Sequence, residues 1–207
     1  MSEPLDRKLH WEQVYRDKAE DTVSWFQVHP EVSLELVRAH TRPTDAVIDV
    51  GGGASRLVDH LLADGYTDLT VLDLAETALE RAGARLGPAA LKVQWLVADV
   101  TRWRPERTYR FWHDRAVFHF LMEPEDRAAY LAALRSALAP GAHALIASFA
   151  PDGPERCSGL PVRRYSPETL AAELGRGFRL RESRQETHLT PMGRLQRFQY
   201  SLLERSR

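Results

Sequence analysis

The sequence predicts an α/β protein with an open, mainly parallel sheet of seven strands, helices on both faces and a C-terminal antiparallel β-hairpin. From residue 45 to residue 174, apolar strand-like segments alternate with helical ones, which is the pattern of a parallel sheet. A glycine turn, GGG at 51–53, joins the first strand to its helix. The last two strand-like runs are joined only by TPMGR, and so short a connection requires antiparallel pairing.

Each element is predicted from its apolar pattern and from the residues at its ends. The N-terminal part predicts a helix over 6–20, a loop over 24–30 and a second helix over 31–40. The predicted strands are 45–51, 69–74, 93–100, 109–114 and 142–150, with strand-like runs at 178–189 and 195–204. The predicted helices between them are 55–64, 76–86, 124–138 and 166–174. We expect Gly87-Pro88 and Pro140-Gly141 to end two of these helices, and Ser166 to cap the last.

Length and composition indicate one domain that binds neither nucleic acid nor a membrane surface. The chain has 207 residues, enough for a single core, and its 28 basic residues nearly balance 29 acidic ones. This balance argues against attraction to nucleic acid or to a membrane surface. No stretch approaches the ~18 apolar residues of a membrane span. We therefore expect a cytoplasmic protein, a monomer or weak homodimer, with no nucleic acid and no membrane partner.

Cysteine and histidine usage argues against a metal site. The single cysteine, Cys157, excludes an intrachain disulfide and argues against a structural zinc site. The histidines show no metal-ligand spacing with carboxylates or with Cys157. We predict no metal.

The glycine turn indicates a nucleotide-like ligand without a pyrophosphate. Gly51 and Gly53 match the first two glycines of the dinucleotide fingerprint, but Arg56 stands at its third position. The bulk of Arg56 would crowd the helix–strand contact, and the loop also lacks the ending of a phosphate-binding P-loop. A plain tight turn between strand and helix remains the alternative interpretation.

Three aspartates close three successive apolar strands: Asp49, Asp73 and Asp99. The carboxyl ends of parallel strands meet at the edge where open α/β sheets bind ligands. Asp73 also lies at about the distance from the glycine turn at which an acid binds ribose hydroxyls. Because an unpaired carboxylate near apolar residues costs several kcal/mol, three in succession indicate ligand contacts.

The DVGGG loop at 49–53, Asp73 and the ADV at 98–100 resemble the class I methyltransferases that use S-adenosyl-L-methionine. The resemblance covers nearly the whole chain from residue 45, including the terminal hairpin, and departs where Ser55 replaces a third alternate glycine. It implies a Rossmann-like fold, S-adenosylmethionine as cofactor and S-adenosylhomocysteine as product. It also implies that Gly51 and Gly53 let the methionine portion pass the backbone, with Asp49 near its amino group.

The same resemblance implies roles for the other acids. Asp73, followed by Leu74, would hold the ribose diol of the cofactor. Asp99 would accept a hydrogen bond from the adenine amino group, and the amide of Val100 would meet the adenine ring.

The N-terminal aromatic residues resemble the lid of small family members, including thiopurine- and tellurite-type enzymes and several protein-lysine methyltransferases. The resemblance implies that Trp11, Tyr15, Trp25 and Phe26 fold over the cofactor. An aromatic face attracts a cation such as a sulfonium by roughly 0.5–2 kcal/mol. The alternative is that these rings are ordinary core. We accordingly divide the domain 1–207 into a helical lid (1–44), a cofactor-binding half (45–150) and an acceptor-side part (151–207).

Candidates for acceptor chemistry follow the fourth strand. His113, Asp114 and Arg115 lie where the family often places acceptor-facing or basic residues, and His119 follows just ahead of a predicted helix. Asp114 is a candidate to accept a hydrogen bond from an acceptor N–H, and His113 or His119 has the pKa of a base at neutral pH. A structural Asp–Arg or His–Asp pair is the alternative. The loop over 151–161 is a second candidate region, because long loops in compact domains are often functional.

The predicted function is transfer of a methyl group to an N, S or O nucleophile of a small molecule. A protein-lysine methyltransferase of the same fold is the alternative. An NAD(P)-dependent oxidoreductase and a non-catalytic nucleotide-binding module rank lower.

Overall fold

The secondary structure of the chain alternates strands and helices along most of its length. The structure, a computed structural model, describes residues 6–206. Its helices are α1 (Arg7–Asp17), α2 (Glu31–His40), α3 (Leu57–Ala63), α4 (Glu76–Leu86), α5 (Pro124–Ala137) and α6 (Pro167–Leu174). Its strands are β1 (Val47–Val50), β2 (Leu69–Asp73), β3 (Val93–Val97), β4 (Tyr109–Arg115), β5 (Leu138–Phe149), β6 (Arg156–Cys157), β7 (Leu160–Pro161), β8 (Phe178–Leu189) and β9 (Leu195–Arg205).

The main sheet has the strand order β3-β2-β1-β4-β5-β9-β8. The first five strands in this order pair in parallel, and β9 pairs antiparallel with both β5 and β8. The predicted fold class, including the terminal hairpin, is therefore confirmed. After β1 the chain builds the sheet outward through β2 and β3, and it then returns to place β4 on the other side of β1. This change of direction opens a crevice at the carboxyl ends of β1 and β4, the usual ligand site of such sheets.

Apolar residues on both faces of the sheet form the core. On one face Ile48, Trp112 and Ile146 pack with side chains of α5 and α6. On the other face Val47 and Phe111 pack with side chains of α2, α3 and α4. In the range 6–206, no helix is both long enough and apolar enough to cross a membrane.

Several helix and strand ends in the structure differ from the predicted ones. Helix α1 ends at Asp17 and a short 3₁₀ turn, Glu20–Thr22, follows it, so the predicted helix over 6–20 is too long. The predicted helix over 124–138 ends within one residue of α5, but the next strand begins at Leu138 and not at 142, so Pro140-Gly141 lie inside β5. A bulge between Tyr109 and Phe111 and a positive φ of 82° at Gly141 let the ladder pass this point.

Two local features at the acceptor side complete the fold. Residues 151–161, predicted as loop, contain the small hairpin β6–β7. Ser166 caps α6 as predicted: its hydroxyl accepts a hydrogen bond from the N–H of Thr169, and the Thr169 hydroxyl accepts one from the N–H of Ser166.

Candidate active site

A cavity, here called the main cavity, opens at the carboxyl ends of β1, β2, β3 and β4. Eight residues predicted to bind the cofactor line it: Trp11, Tyr15, Trp25, Gly51, Asp73, Leu74, Asp99 and Val100. A second, inner cavity lies beside it beneath the glycine turn. Tyr15, Trp25, Gly51 and Arg115 border both cavities.

The glycine turn is packed so closely that it has no room for side chains. Gly51 has φ of 67°, and a Cβ there would lie 1.9 Å from Cγ2 of Val117. Gly53 has φ of 45°, and its Cβ would lie 2.7 Å from the hydroxyl oxygen of Tyr15. The sequence folds locally this way because glycine accepts a positive φ at no steric cost. The turn thus brings bare backbone to the wall of the main cavity.

Asp73, the last residue of β2, is buried in the wall of the main cavity. Its Oδ1 accepts a hydrogen bond of 2.8 Å from the N–H of Ala75, just before α4. Burial, together with the nearby charge of Asp49, raises the pKa of Asp73 to about 7 against the lowering effect of backbone hydrogen bonds. An acid with a raised pKa in a ligand cavity is typical of a binding site.

Asp99 lies in the same wall, beyond the end of β3. Its Oδ1 accepts hydrogen bonds from the backbone N–H and the hydroxyl of Thr101, at 2.9 and 2.7 Å. Its Oδ2 is 3.6 Å from a guanidinium nitrogen of Arg7, which also pairs with Asp126. Arg7 therefore joins helix α1 to Asp99 at this end of the cavity. This ion pair was not predicted from the sequence.

The aromatic residues of the N-terminal segment lie over the crevice. The ring of Trp11 contacts those of Trp25 and Phe120 edge to face, at centroid distances of 5.7 and 5.1 Å. The carboxylate of Glu12 anchors α1, because it accepts hydrogen bonds from the N–H of Glu76 and the hydroxyl of Thr77, at 2.7 and 2.6 Å. These donors lie at the start of α4, where carboxylates are favoured.

Phe26, another residue of the predicted lid, does not border the main cavity. Phe26 borders the inner cavity, and the guanidinium of Arg56 lies over its ring at 5.4 Å. Residues 1–5 of the predicted lid lie outside the described residues.

Asp49 and His113 meet at the inner cavity. Oδ1 of Asp49 is 2.6 Å from Nδ1 of His113, and Nε2 of His113 is 2.9 Å from the hydroxyl of Ser33. All three side chains are buried. Oδ2 of Asp49 is buried without a hydrogen-bond partner among the residues described. His113 therefore contacts one oxygen of Asp49, and the other oxygen has no partner among the described residues.

Asp114 and His119, the other two predicted catalytic residues, line neither cavity. Asp114 accepts hydrogen bonds from the N–H groups of Val117 and Phe118 and from the hydroxyl of Tyr130, at 2.8, 3.1 and 2.6 Å. Burial raises the pKa of Asp114 to about 6. This carboxyl therefore stabilises the turn after β4.

His119 is fully buried, and its ring lies between those of Phe120 and Phe149. Burial, with a smaller contribution from the charge of Arg115, lowers the pKa of His119 to about 3. The imidazole is therefore neutral at physiological pH, and the structure does not bring it to the cavity.

Cys157 and Arg115 are two of the cavity-wall residues that were not among the predicted site residues. Cys157, on β6, borders the main cavity, and burial raises the pKa of its thiol to about 11, so it is not a reactive thiolate. Arg115, the last residue of β4, borders both cavities. The sequence placed Arg115 among the acceptor-facing positions after the fourth strand, but it was interpreted as a partner for Asp114 and not included among the site residues. In residues 6–206, no cluster of three acidic, histidine or cysteine side chains could hold a metal ion.

Comparison with known proteins agrees with this geometry. Residues 47–141 match the family model described as a methyltransferase domain. The chain is 22% identical over 118 residues to the eEF1A lysine and N-terminal methyltransferase of Mus musculus. It is 27% identical over 134 residues to the malonyl-[acyl-carrier protein] O-methyltransferase of Anoxybacillus flavithermus. These matches cover 56% and 64% of this chain, but only 17% and 50% of the two relatives.

A solved structure extends the similarity of fold to the whole chain. The 1,6-didemethyltoxoflavin-N1-methyltransferase of Burkholderia thailandensis, solved with S-adenosylhomocysteine, superposes with a TM-score of 0.71 at 19% identity. The superposition covers 100% of this chain and 94% of that one. Residues 47–141 are therefore similar to a methyltransferase domain, and the chain has the Rossmann-like fold of this solved methyltransferase structure.

Proposed function

We propose that this protein is an S-adenosylmethionine-dependent methyltransferase acting on an N, S or O nucleophile of a small molecule. The observation that carries the proposal is the joint placement of Asp73, Asp99 and the glycine turn on one cavity wall, beneath aromatic rings of the N-terminal segment. The similarity to methyltransferases over residues 47–141 supports it.

The cavity residues fit the chemical groups of the cofactor. Asp73 suits a ribose diol, and Asp99 with Val100 suits an adenine edge. The buried, unpartnered Oδ2 of Asp49 suits an ammonium group, because a buried carboxylate oxygen without a donor costs free energy.

Arg56, which stands at the third position of the dinucleotide fingerprint, donates to Glu20 at 3.0 Å and does not border the main cavity. Its side chain therefore neither crowds the main cavity nor is placed there to hold a pyrophosphate. The proposal of a methyltransferase over an oxidoreductase rests on the similarity over residues 47–141.

When bound, S-adenosylmethionine supplies an electrophilic methyl group on a positively charged sulfur. The chain contributes alignment and exclusion of water. Trp11, Trp25 and Phe120 give the cavity an aromatic wall that favours a cation by roughly 0.5–2 kcal/mol. Fixed alignment of two reacting groups lowers a barrier by up to roughly 7–11 kcal/mol. We propose that positioning accounts for most of the catalysis, since Asp114 and His119 lie away from the cavity.

A protein-lysine acceptor is the second candidate. It is supported by the similarity to the mouse eEF1A lysine and N-terminal methyltransferase. A small acceptor is favoured because the N-terminal aromatic rings and Cys157 of the acceptor-side segment border the main cavity. A cytoplasmic location, a monomer or weak homodimer, and the absence of a nucleic-acid partner are proposals that rest on composition alone.

Calorimetric titration with S-adenosylhomocysteine tests cofactor use. We expect the wild type to bind it and Asp73→Ala to lose most of the binding. Asp152→Ala, which removes an exposed acid paired with Arg197, is the matched control and should bind normally. Absence of binding by the folded wild type would refute the proposal.

A transfer assay then separates the two acceptor classes. Cofactor labelled in its methyl group is incubated with the protein and cell extract, and the extract is divided into small-molecule and protein fractions. Label in the small-molecule fraction supports the first proposal. Label confined to protein supports the lysine alternative.

A further inference from the structure

Arg115 is a buried guanidinium whose hydrogen-bonding capacity is only partly used. Its side chain is 10% exposed and borders both cavities. Nε donates to the hydroxyl of Tyr200 at 2.9 Å, and Nη1 donates to the carbonyl oxygen of Trp25 at 3.0 Å. Nη2 is buried and has no hydrogen-bond partner among the residues described. Buried charged donors are normally paired, so Nη2 indicates a missing acceptor.

The nearest carboxylate does not supply that acceptor. Oε2 of Glu186 is 3.7 Å from Nη2, beyond hydrogen-bond distance. The two oxygens of Glu186 accept instead from Gln27 Nε2, at 2.6 Å, and from the hydroxyl of Tyr200, at 2.7 Å. Glu186 therefore compensates part of the charge of Arg115 without satisfying its N–H groups.

The guanidinium is held in a fixed orientation. It stacks over the ring of Phe198 at 4.2 Å, while Tyr200 and Trp25 hold its other nitrogens. A planar fork held in this way is suited to a carboxylate, which it can bind through two parallel hydrogen bonds.

Arg115 lies at the opposite end of the crevice from the acids that suit the adenosine. In the sheet order, β4 is separated from β3 by three strand spacings, or about 14 Å. In the main cavity, the residues that line the wall with Arg115 include Trp25, Phe120 and Cys157, the last of these from the acceptor-side segment. The acids Glu20 and Asp49 line the inner cavity on its other side. The main-cavity side of Arg115 therefore suits a ligand with an apolar body and one anionic group.

We infer that Arg115 binds a carboxylate of the methyl acceptor, so that the acceptor is a small, carboxylate-bearing molecule. The inference rests on the proposed function and narrows its substrate class. The same Nη2 could instead bind the carboxylate of the cofactor, and the test separates the two.

The test measures binding to protein saturated with S-adenosylhomocysteine. The probes are 2-aminobenzoate, 2-hydroxybenzoate and 2-mercaptobenzoate, which offer N, O and S nucleophiles, and the methyl ester of each. Calorimetry gives the ratio of acid to ester affinity for the wild type and for Arg115→Met. Arg110→Met is the matched control, because Arg110 is on the same strand but exposed. Arg115→Lys is the second variant if the Met variant does not fold, since lysine keeps the charge but not the fork.

We expect at least one acid to bind the wild type and Arg110→Met about tenfold tighter than its ester, the difference a charge-assisted hydrogen bond makes. In Arg115→Met the ratio should fall to about one, and in Arg115→Lys to an intermediate value, while affinity for S-adenosylhomocysteine stays within about twofold. No acid preference in the wild type would overturn the inference. A large loss of S-adenosylhomocysteine affinity with an unchanged acid-to-ester ratio would assign Nη2 to the cofactor. Failure of the wild type to bind S-adenosylhomocysteine would instead refute the proposed function.

Discussion

Oδ1 of Asp49 lies 2.6 Å from Nδ1 of His113, and this contact joins the end of β1 to the neighbouring position on β4. The far ring nitrogen of His113 meets the hydroxyl of Ser33 on α2. The chain of contacts fixes the carboxylate beneath the glycine turn. It gives His113 a positioning role for Asp49.

Replacing His113 with alanine should weaken both folding and cofactor binding. The change leaves a second buried oxygen of Asp49 without a donor, at a cost of about 1–3 kcal/mol or more in the free energy of unfolding. It also frees the carboxylate to move, so affinity for S-adenosylhomocysteine should fall about tenfold. Urea unfolding and calorimetry measure the two effects.

Ser33→Ala is the control for this prediction, because it removes only the distant hydroxyl. It should cost about 1 kcal/mol in stability and leave affinity for S-adenosylhomocysteine nearly unchanged. If His113→Ala instead abolished turnover while stability and cofactor affinity stayed normal, His113 would be the acceptor base.

Alanine at Gly53 should be far more harmful than alanine at Gly87. Both residues have a positive φ, 45° and 56°, so both substitutions strain the backbone by about 1–3 kcal/mol. Only at Gly53 would the new Cβ meet other atoms, at 2.7 Å from the Tyr15 hydroxyl and 3.0 Å from Oδ2 of Asp73. Affinity for S-adenosylhomocysteine should therefore fall in Gly53→Ala and stay normal in Gly87→Ala. Equal affinities, measured by calorimetry, would show that the turn tolerates a side chain.

The raised pKa of Asp73 predicts a specific dependence on pH. Burial raises this pKa from the ordinary 3.8 to about 7, so between these pH values the folded protein binds a proton that the unfolded chain has lost. The contribution of Asp73 to stability therefore decreases as pH rises through this window. Asp73→Asn should show a shallower decrease and a free energy of unfolding about 1–3 kcal/mol above the wild type at pH 8.

Cofactor binding should follow the opposite trend. The ionised form of Asp73 is the better acceptor for two ribose hydroxyls, so affinity of the wild type for S-adenosylhomocysteine should increase as pH rises through about 7. Asp73→Asn should bind weakly at every pH. Burial also raises the pKa of Asp114 to about 6. Asp114 therefore adds to the decrease of stability with rising pH in both the wild type and Asp73→Asn. If the unfolding free energy of Asp73→Asn changed with pH as steeply as that of the wild type, the raised pKa would not belong to Asp73.

Trp11→Ala should weaken binding of the methylated cofactor more than that of its product. Trp11 borders the main cavity, and only S-adenosylmethionine carries a cationic sulfur that an aromatic ring attracts. The expected extra loss is roughly twofold to thirtyfold, from an attraction of roughly 0.5–2 kcal/mol. Leu9→Ala, on the same helix and 63% exposed, is the control. An equal loss for both ligands would show that Trp11 only packs against its neighbours.

The boundaries and pairing of the elements were predicted with unequal success. The alternation of strands and helices and the antiparallel hairpin follow from local patterns and a short connection, and the structure has them. The start of β5 was predicted too late, because Leu138 pairs with Tyr109 in the sheet and this pairing outweighs the local signal of Pro140-Gly141. Long-range hydrogen bonds of this kind leave no local trace in the sequence.

The site shows the same division between local and distant information. His113, Asp114 and Arg115 are consecutive, and side chains of a strand alternate between its two faces. His113 and Arg115 therefore share one face, towards the inner cavity, while Asp114 turns to the opposite face and to Tyr130. Alternation is visible in the sequence, but the face that carries the cavity is not.

By itself, the sequence determined the fold class, the glycine turn and the acids at three strand ends, because these depend on residue types at short spacing. The tertiary structure alone decided which polar groups meet. In the structure Asp49 pairs with His113, and Arg115 lies on the cavity wall. Asp114 and His119 lie away from the cavity, against Tyr130 and Phe149. The physical reason is that burial and partnership of a side chain depend on the strand, helix and lid packed against it, which come from distant parts of the chain.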